Sequence, residues 1–544
     1  MSKRTSSVLW AALALVWLAA LAVRPLYKPD EARYGEIPRE MVASGDWLTP
    51  RLNGFKYFEK PPLQYWMTAL AFKVFGVNDW SARLWAGLAA LAGVGVVFGA
   101  ADRLFSPPAG AYAAAIVASC PLYLLLGQVN TLDMGVTLFL SAAAFAFALA
   151  QRPGATVGER LHWMLAFWAA CAAAVLTKGL IGIVLPLGTI ALYTIGRRDW
   201  GLLRRLELAR GGLLFLVLAA PWFVAVSLAN PEFAYFFFVQ EHWLRFTTHI
   251  HHHQRPPWFF LPVLALGVWP WLLALVAGWA AALRPPATRE FSPAFFLGLW
   301  IVVVFGFFSA SGSKLPPYIL PLVPALAVLG GAFLSEKPRR RLLFAQGLFA
   351  AGVAVAIGGV AWYVGTLPDD AYYGLGSGYS PWLAAAAAIA LAGAAAGAVL
   401  AWRARVRAAV ASLAIGAAAA LMIGMAGHVV LAPAYSAAPL IASLPRPPSA
   451  QAAVFTVDAY DHSIPWSLGR TVTMVRYKDE LERATVWEPD KFIPDAAAFA
   501  RAWTSEREAY AFFAVRDFDR LRRELDVPMT VVARGPRYVI VRKP

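Results

Sequence analysis

The chain has 544 residues, of which 59% are hydrophobic and only 15% are charged, and its formal net charge is +16. Its mean hydropathy is +0.57. A soluble globular protein of this length does not have such a composition, so the sequence is that of a membrane protein. The basic residues form short groups between apolar stretches and no stripe with interleaved aromatic residues, which argues against nucleic-acid binding. We expect them to orient the chain and to contact anionic lipid headgroups.

Thirteen apolar stretches predict transmembrane helices, since most are near the ~20 residues needed to cross the hydrocarbon layer. They lie at 7–24, 80–101, 109–127, 132–150, 161–176, 180–196, 211–229, 258–283, 291–310, 315–334, 342–366, 381–402 and 408–431. The first resembles a secretory signal, but we expect it to be retained, because its loss would break the alternation of charge in the later loops. Both cysteines, Cys120 and Cys171, lie inside predicted spans, which argues against a disulfide framework.

Every second loop is basic, as the positive-inside rule requires of cytoplasmic loops. These loops hold Arg103, Arg152 and Arg160, residues 197–210, Arg284 and Arg289, residues 337–341 and residues 403–407. Thirteen spans that begin inside place the end of the chain outside. The prediction is therefore a multi-pass membrane protein with its C-terminal domain on the outer side of the membrane.

The chain divides into a membrane domain over residues 1–431 and a C-terminal domain over residues 432–544. Two outer loops, 25–79 and 230–257, are the long ones, and the first holds two stretches with helical spacing, beginning at Glu31 and Pro62, that suit juxtamembrane helices. In the C-terminal domain, strands are predicted at 453–457, 471–475, 510–515, 530–533 and 538–541, and helices at 495–504 and 517–525. That pattern predicts a small α/β domain.

Three carboxylates at the outer membrane boundary are candidate catalytic groups: Asp30, Glu59 and Asp133. Each also has an ordinary structural explanation. Asp30 and Asp133 could cap helices, and Glu59 could form a surface ion pair with Lys60. A carboxylate at membrane depth is costly, however, which favours a functional partner for Asp133.

Basic residues fall at the same boundary, namely Lys60, Lys178, Arg245 and Lys314, with Tyr318 beside the last in sequence. Lysine, arginine and a tyrosyl hydroxyl together can hold a phosphate through charge-assisted hydrogen bonds. The alternative is that each side chain snorkels from a span end to the interface. Their Pro- or Gly-containing contexts favour the shared anion.

Four histidines lie at His249 and at 251–253. Imidazoles bind divalent metals, but adjacent side chains rarely satisfy one tetrahedral site. No cofactor is therefore required by the sequence. A divalent metal held by Glu59, His251 and His253 stays open as an alternative.

Six segments, read together, resemble the bacterial lipid A aminoarabinose transferases of glycosyltransferase family 83. The segments are 30–36, 57–66, 132–134, 176–179, 236–246 and 313–322. This family is similar to the protein O-mannosyltransferases and shares the GT-C architecture, a many-helix membrane domain with its active site on the outer loops. The resemblance implies a polytopic α-helical protein of GT-C type. It does not extend to the histidine run, nor to any motif of the last spans and the C-terminal domain.

The resemblance implies a donor, undecaprenyl phosphate carrying 4-amino-4-deoxy-L-arabinose, and an acceptor, a lipid A phosphate, and a product with lower affinity for cationic antimicrobial peptides. It also implies direct displacement with inversion. It further implies a location in the bacterial inner membrane, with the active site and the C-terminal domain on the periplasmic side. Substrate binding is assigned to Arg33, Tyr34, Tyr57, Lys60, Lys178, Arg245, Lys314 and Tyr318. Asp30, Glu59 and Asp133 would then orient the aminosugar, balance positive charge at its anomeric carbon or hold a metal. We expect membrane lipids as further partners, and a monomer.

Two other functions are compatible with the sequence. One is a related enzyme that transfers another sugar from a polyprenyl phosphate to protein or glycan. The other is a transporter of lipid-linked substrates. A transporter should carry ionisable residues near mid-span, whereas the charges here cluster at the outer ends of the spans.

Overall fold

A computed structural model describes residues 14–244, 255–337, 339–368 and 374–544, except the side chains of residues 242 and 243. The helices of the membrane domain are α1 (14–20), α2 (Asp30–Ser44), α3 (Leu63–Phe75), α4 (Asp79–Leu104), α5 (Pro107–Ser119), α6 (Pro121–Leu126), α7 (Leu132–Gln151), α8 (Val157–Lys178), α9 (Ile181–Arg197), α10 (Gly201–Arg204), α11 (Leu208–Ala229), α12 (Phe260–Gly267), α13 (Leu272–Ala282), α14 (Pro293–Ala310), α15 (Leu322–Glu336), α16 (Arg340–Thr366), α17 (Leu375–Trp402) and α18 (Val406–Gly427).

Every predicted span contains helix in the described part of the chain, but the helices differ in length. Eight of those described are long and apolar enough to cross a membrane, or nine if the pair over Pro257–Gly267 and Trp269–Ala282, bent by 72°, forms one span. The predicted span at 109–127 is divided at Cys120, where Pro121 begins α6, because proline has no N–H to continue the hydrogen bonds of α5 and is favoured in the first turn of a helix. The count of thirteen stays a prediction.

The centre of the bundle is formed by α4, α5, α7 and α15. In the most apolar 18-residue stretch of α7, 78% is buried inside the protein, against 17% in that of α11. Small residues allow the inner helices to approach closely: a Cβ added to Gly331 of α15 would lie 2.7 Å from the carbonyl oxygen of Ala109 in α5. The exposed apolar face of α11 is what a helix at the lipid boundary requires.

The first outer loop folds into α2, a two-stranded hairpin of β1 (Arg51–Leu52) and β2 (Phe55–Lys56), and α3. The two predicted juxtamembrane helices are confirmed. Asn53 and Gly54 form the hairpin turn with φ of 53° and 80°, the left-handed conformation that a two-residue hairpin turn requires. Asn53 is also buried, and its side chain pairs with the backbone of Val472 through two hydrogen bonds of 2.8 Å.

The C-terminal domain is an α/β domain, as predicted, built on a six-stranded sheet of order β5-β4-β3-β6-β8-β7. The domain begins with two short helices, α19 (Ala432–Tyr435) and α20 (Ala438–Ala442). The elements that follow are β3 (Ala453–Val457), α21 (Ser463–Leu468), β4 (Thr473–Val475), α22 (Glu482–Trp487), β5 (Phe492–Ile493), α23 (Ala496–Ser505), β6 (Ala509–Ala514), α24 (Phe518–Leu525), β7 (Thr530–Arg534) and β8 (Tyr538–Arg542). β3 pairs in parallel with β4 and β6. The predicted strand at 471–475 is shorter than expected, and β5, α21 and α22 were not predicted, because these segments are too short to show a clear periodicity.

The C-terminal domain packs on the first outer loop. Trp466 lies against Gly35 of α2, where an added Cβ would be 3.2 Å from the indole ring, and its Nε1 donates to Asp79 at 2.9 Å. Arg39 donates to the carbonyl of Gly469 at 2.8 Å, and Arg51 pairs with Glu488 at 2.9 Å. The loop and the domain therefore form one continuous structure above the helix ends.

Glu31 is buried at the junction of the first span, α2 and α4. Its carboxylate pairs with Arg24 and with Arg83, whose Nε lies 2.7 Å from Oε1, and accepts the N–H groups of Tyr27 and Asn130 at 3.1 Å each. Burial alone would raise the pKa of Glu31, but the two guanidinium groups outweigh it and hold the pKa well below its ordinary value. The carboxylate is therefore ionised and fully paired.

Replacing Arg83 by alanine should destabilise the protein by about 3–5 kcal/mol, because it leaves the Glu31 charge buried with one cation fewer. The measurement is thermal unfolding of the detergent-purified protein, followed by tryptophan fluorescence. Arg103→Ala is the matched control, since Arg103 is an exposed arginine of the same helix. Equal melting temperatures for the two variants would show that the buried pairs do not stabilise this junction.

Candidate active site

The candidate residues come together where the helices end beneath the C-terminal domain. Asp30 is the first residue of α2, Asp133 the second of α7 and Lys178 the last of α8. Glu59 and Lys60 lie immediately before Pro61 and Pro62, which lead into α3. Proline fixes the backbone there and so limits where the two charged side chains can lie.

Asp30 does not cap α2. The N-cap position is taken by Pro29, and no side chain caps the helix, so the capping explanation is wrong for this residue. Its carboxylate lies 3.3 Å from Arg33 of the same helix, and its side chain is 48% exposed. Asp30 is thus a half-exposed carboxylate at the edge of a site that is otherwise largely buried.

Arg33 is held by the C-terminal domain. Its NH2 lies 2.6 Å from Oε2 of Glu480, and Glu480 also hydrogen-bonds His462. Burial would raise the pKa of Glu480, but His462 and Arg33 together lower it to about 2. The carboxylate is therefore charged, and it fixes one end of the Arg33 guanidinium.

The sequence did not predict Glu480 or His462 as site residues. Both lie in a part of the chain that carries no recognisable motif. The signal there is the acidic pair Asp479 and Glu480 next to a short helix, which is typical of an ordinary helix start.

Glu59 and Lys60 lie beside Glu241, which is carried by a π-helical segment over Tyr235–Leu244. The ammonium of Lys60 is 3.9 Å from a carboxylate oxygen of Glu59 and 3.9 Å from one of Glu241. Burial raises the pKa of Glu59, and the negative charge of Glu241 raises it further, against the effect of Lys60. The predicted pair is thus part of a half-buried cluster of three charges, not a surface ion pair.

Asp133 and Lys178 form an ion pair between α7 and α8. The Lys178 ammonium also lies 4.8 Å from the ring centroid of Tyr318, in a cation–π contact. Three predicted site residues therefore meet directly. Lys314, by contrast, is buried and donates to the carbonyl of Ser311 at 2.6 Å, so it stabilises its own loop.

Buried tyrosines lie among these charges. Tyr34, Tyr57 and Tyr65 are at most 5% exposed, and the rings of Tyr34 and Tyr65 lie 6.1 Å apart. Burial raises the pKa of each, so all three hydroxyls stay protonated. Within the described residues, the hydroxyls of Tyr57 and Tyr65 and Nε of Arg33 have no hydrogen-bond partner, as expected of groups that bind a polar ligand.

Glu31 connects the segment that carries Asp30 with the segment that carries Asp133. Asn130 donates its backbone N–H to the Glu31 carboxylate, and its side-chain oxygen accepts from Gln64 of α3 at 3.1 Å. Asp30 adjoins Glu31 in sequence, and Asp133 follows Asn130 by three residues. One buried carboxylate thus sets the distance between two of the three candidate catalytic residues.

Arg245, His251 and His253 lie outside the described residues. Among the residues that the structure does describe, no three His, Cys, Asp or Glu side chains are close enough together to hold a metal ion. The metal site that the sequence left open is therefore untested.

Two family models match the chain. One, described as the aminoarabinose transferase C-terminal domain, matches residues 441–543. The other, described as dolichyl-phosphate-mannose-protein mannosyltransferase, matches residues 59–224 and so covers the Lys60, Asp133 and Lys178 segments.

Two proteins named undecaprenyl phosphate-alpha-4-amino-4-deoxy-L-arabinose arabinosyl transferase are similar to the chain. That of Aeromonas hydrophila is 36% identical over 325 residues, which is 58% of this chain and 57% of that protein. That of Shewanella sediminis is 33% identical over 389 residues, which is 68% of this chain and 67% of that protein. The alignments thus span 57% and 67% of the lengths of these two relatives.

Solved structures match over nearly the whole chain. ArnT from Cupriavidus metallidurans bound to undecaprenyl phosphate is 37% identical, with a TM-score of 0.92, and covers 99% of this chain and 98% of its own. The archaeal oligosaccharyltransferase AglB from Archaeoglobus fulgidus shares the fold, with a TM-score of 0.54 at 13% identity over 95% of this chain and 70% of its own. The predicted GT-C-type fold and the family resemblance are confirmed, and the chain belongs to the family of undecaprenyl phosphate aminoarabinose transferases.

Proposed function

We propose that this protein transfers 4-amino-4-deoxy-L-arabinose from undecaprenyl phosphate to a phosphate of lipid A. The observation that carries the proposal is the convergence of Lys60, Lys178 and Arg33 with carboxylates at one end of the bundle. Its support is the similarity, over nearly full length, to a transferase whose structure holds undecaprenyl phosphate. A site at helix ends suits two lipid substrates, whose chains stay in the bilayer while their phosphates meet at its surface.

The cations act on the donor phosphate. The bond between the anomeric carbon and the phosphate oxygen breaks, and undecaprenyl phosphate leaves with the electron pair and one more negative charge. We assign the stabilisation of that charge to Lys60 and Lys178, with Tyr318 beside Lys178, and we expect Arg245 to join them. Electrostatic stabilisation of this kind is strong because the site is largely shielded from water.

The carboxylates have a different task, because the acceptor phosphate is already anionic and does not need a general base. An oxygen of that phosphate attacks the anomeric carbon from the face opposite the leaving group, which inverts the configuration. Positive charge develops on the sugar ring in such reactions. Asp30 is the half-exposed carboxylate, and we assign to it the balance of this charge or of the sugar ammonium, while Asp133 places Lys178.

We infer that the protein lies in the bacterial inner membrane with this site and the C-terminal domain in the periplasm. The basic loops between spans support that orientation. The match to a protein mannosyltransferase model favours transfer to protein as the second candidate reaction.

Mass spectrometry of lipid A tests the acceptor. Cells that express the protein should add a pentosamine to lipid A, and cells that express Lys60→Ala at the same level should not, because the donor phosphate loses a cation. Unmodified lipid A together with newly glycosylated protein would instead support the second candidate.

Asp30→Asn should reduce transfer by at least about 100-fold, because the amide keeps the shape of the side chain but removes the charge. The melting temperature should not change, since Asp30 caps no helix. Asp519→Asn is the control, an exposed aspartate near the start of α24 in the C-terminal domain. Wild-type turnover by Asp30→Asn would move the catalytic assignment to another residue.

Glu480→Gln should reduce transfer by about 10- to 100-fold, because the largely buried Arg33 guanidinium loses the closer of its two acidic partners and is held less firmly in place. The rate is measured with purified protein and synthetic donor. Glu482→Gln, two residues along the chain and exposed, should leave the rate unchanged. If both variants transfer at the wild-type rate, the C-terminal domain has no part in holding Arg33.

A further inference from the structure

A second charged cavity lies between α5, the end of α15 and the connection from α17 to α18. Its volume is about 520 Å³. Its walls include three basic side chains, two hydroxyl-bearing residues and an aliphatic side chain. These are Lys337, Arg405, Arg407, Tyr112, Ser335 and Val406.

The cavity is at the opposite end of the bundle from the candidate active site. α18 begins at the cavity with Val406, and at its other end the carbonyl of His428 accepts the hydroxyl of Tyr27, which is close to Asp30 in sequence. Likewise α4 begins at Asp79, beneath Trp466 of the C-terminal domain, and ends at Leu104, three residues before α5 begins. A ligand of this cavity is therefore separate from the transfer reaction.

The positive charge of the cavity is not balanced by the protein. Of its lining residues, three are cations and none is a carboxylate. Within the described ranges, Lys337, Arg405 and Arg407 form no ion pair with an acidic side chain. The adjacent carboxylate, Glu336, lies 3.6 Å from Arg339 instead. All three side chains are exposed, so water screens their mutual repulsion, but an anion in the cavity would be attracted by all three.

The surroundings of the cavity are those of a lipid boundary. Trp402, at the end of α17 and three residues before Arg405, is 72% exposed and contacts the ring of Phe344 at a centroid distance of 5.3 Å. Val399, one turn earlier on α17, is 49% exposed. Exposed tryptophan is typical of the headgroup level, and exposed aliphatic residues beyond it face acyl chains. Basic pockets between helix ends at this level suit lipid phosphates.

We propose that this cavity binds the headgroup of an anionic phospholipid. The lipid phosphate lies among Lys337, Arg405 and Arg407, the hydroxyls of Tyr112 and Ser335 are within the same cavity, and the acyl chains run along α17 past Trp402 and Val399. The apolar path out of the cavity selects a lipid over free phosphate, and the three cations select an anionic lipid over a zwitterionic one.

Native mass spectrometry of the full-length protein in detergent tests this site, with phosphatidylglycerol or phosphatidylcholine added. The wild type should retain one phosphatidylglycerol that phosphatidylcholine does not replace. The triple variant Lys337→Gln, Arg405→Gln, Arg407→Gln should bind it about 100-fold more weakly. The matched control is Arg204→Gln, Arg284→Gln, Arg289→Gln, which removes the same charge from exposed residues outside the cavity and should bind as the wild type does.

Two further arms separate the outcomes. The double variant Arg405→Lys, Arg407→Lys keeps the charge and should retain the lipid. Inorganic phosphate at millimolar concentration should not displace it. Retention of phosphatidylglycerol by the triple variant at wild-type strength, or its full displacement by inorganic phosphate, would overturn the proposal. None of these readouts depends on sugar transfer, so they stand or fall independently of the proposed reaction.

Discussion

The carboxylate of Glu31 is buried where the first span, α2, α4 and the segment before α7 meet. A charge in such a place is stable only if it is fully paired, and two guanidinium groups and two backbone N–H groups provide that pairing. The partners come from three segments: Arg24 and Tyr27 from the end of the first span and the residues after it, Arg83 from α4 and Asn130 from the segment before α7. The neighbours of this junction, Asp30 and Asp133, are therefore placed relative to one another before any substrate binds.

The C-terminal domain adds further ion pairs and hydrogen bonds above the site. Glu480 and His462 pair with each other, and Glu480 pairs with Arg33, while Asn53 and Arg39 fix the first outer loop to the backbone of the domain. The domain is thus more than a cover, because it supplies the charge that holds a candidate substrate-binding side chain. Loss of the domain would remove Glu480, the closer of the two acidic partners of Arg33, even if the helices stayed folded.

The cations at the two ends of the helix bundle differ in whether they have acidic partners. At the end that carries the candidate active site, Lys178 pairs with Asp133 and Lys60 lies between Glu59 and Glu241, so both cations have acidic partners that hold them in place. Such a balance suits a phosphate that must arrive, change its charge and leave. At the other end the cations of the second cavity lack acidic partners within the described residues, which suits a lipid that stays bound.

The sequence by itself determined the membrane class, the α/β domain, the juxtamembrane helices and most of the charged candidates, because apolar runs, periodicity and short motifs are local properties of the chain. Only the tertiary structure decided that Pro29, not Asp30, occupies the cap position of α2, and that Lys314 turns back onto its own loop. It also brought Glu480 to Arg33 across almost the whole length of the chain. Pairing between distant charges depends on how the domains pack, and no local pattern encodes that packing.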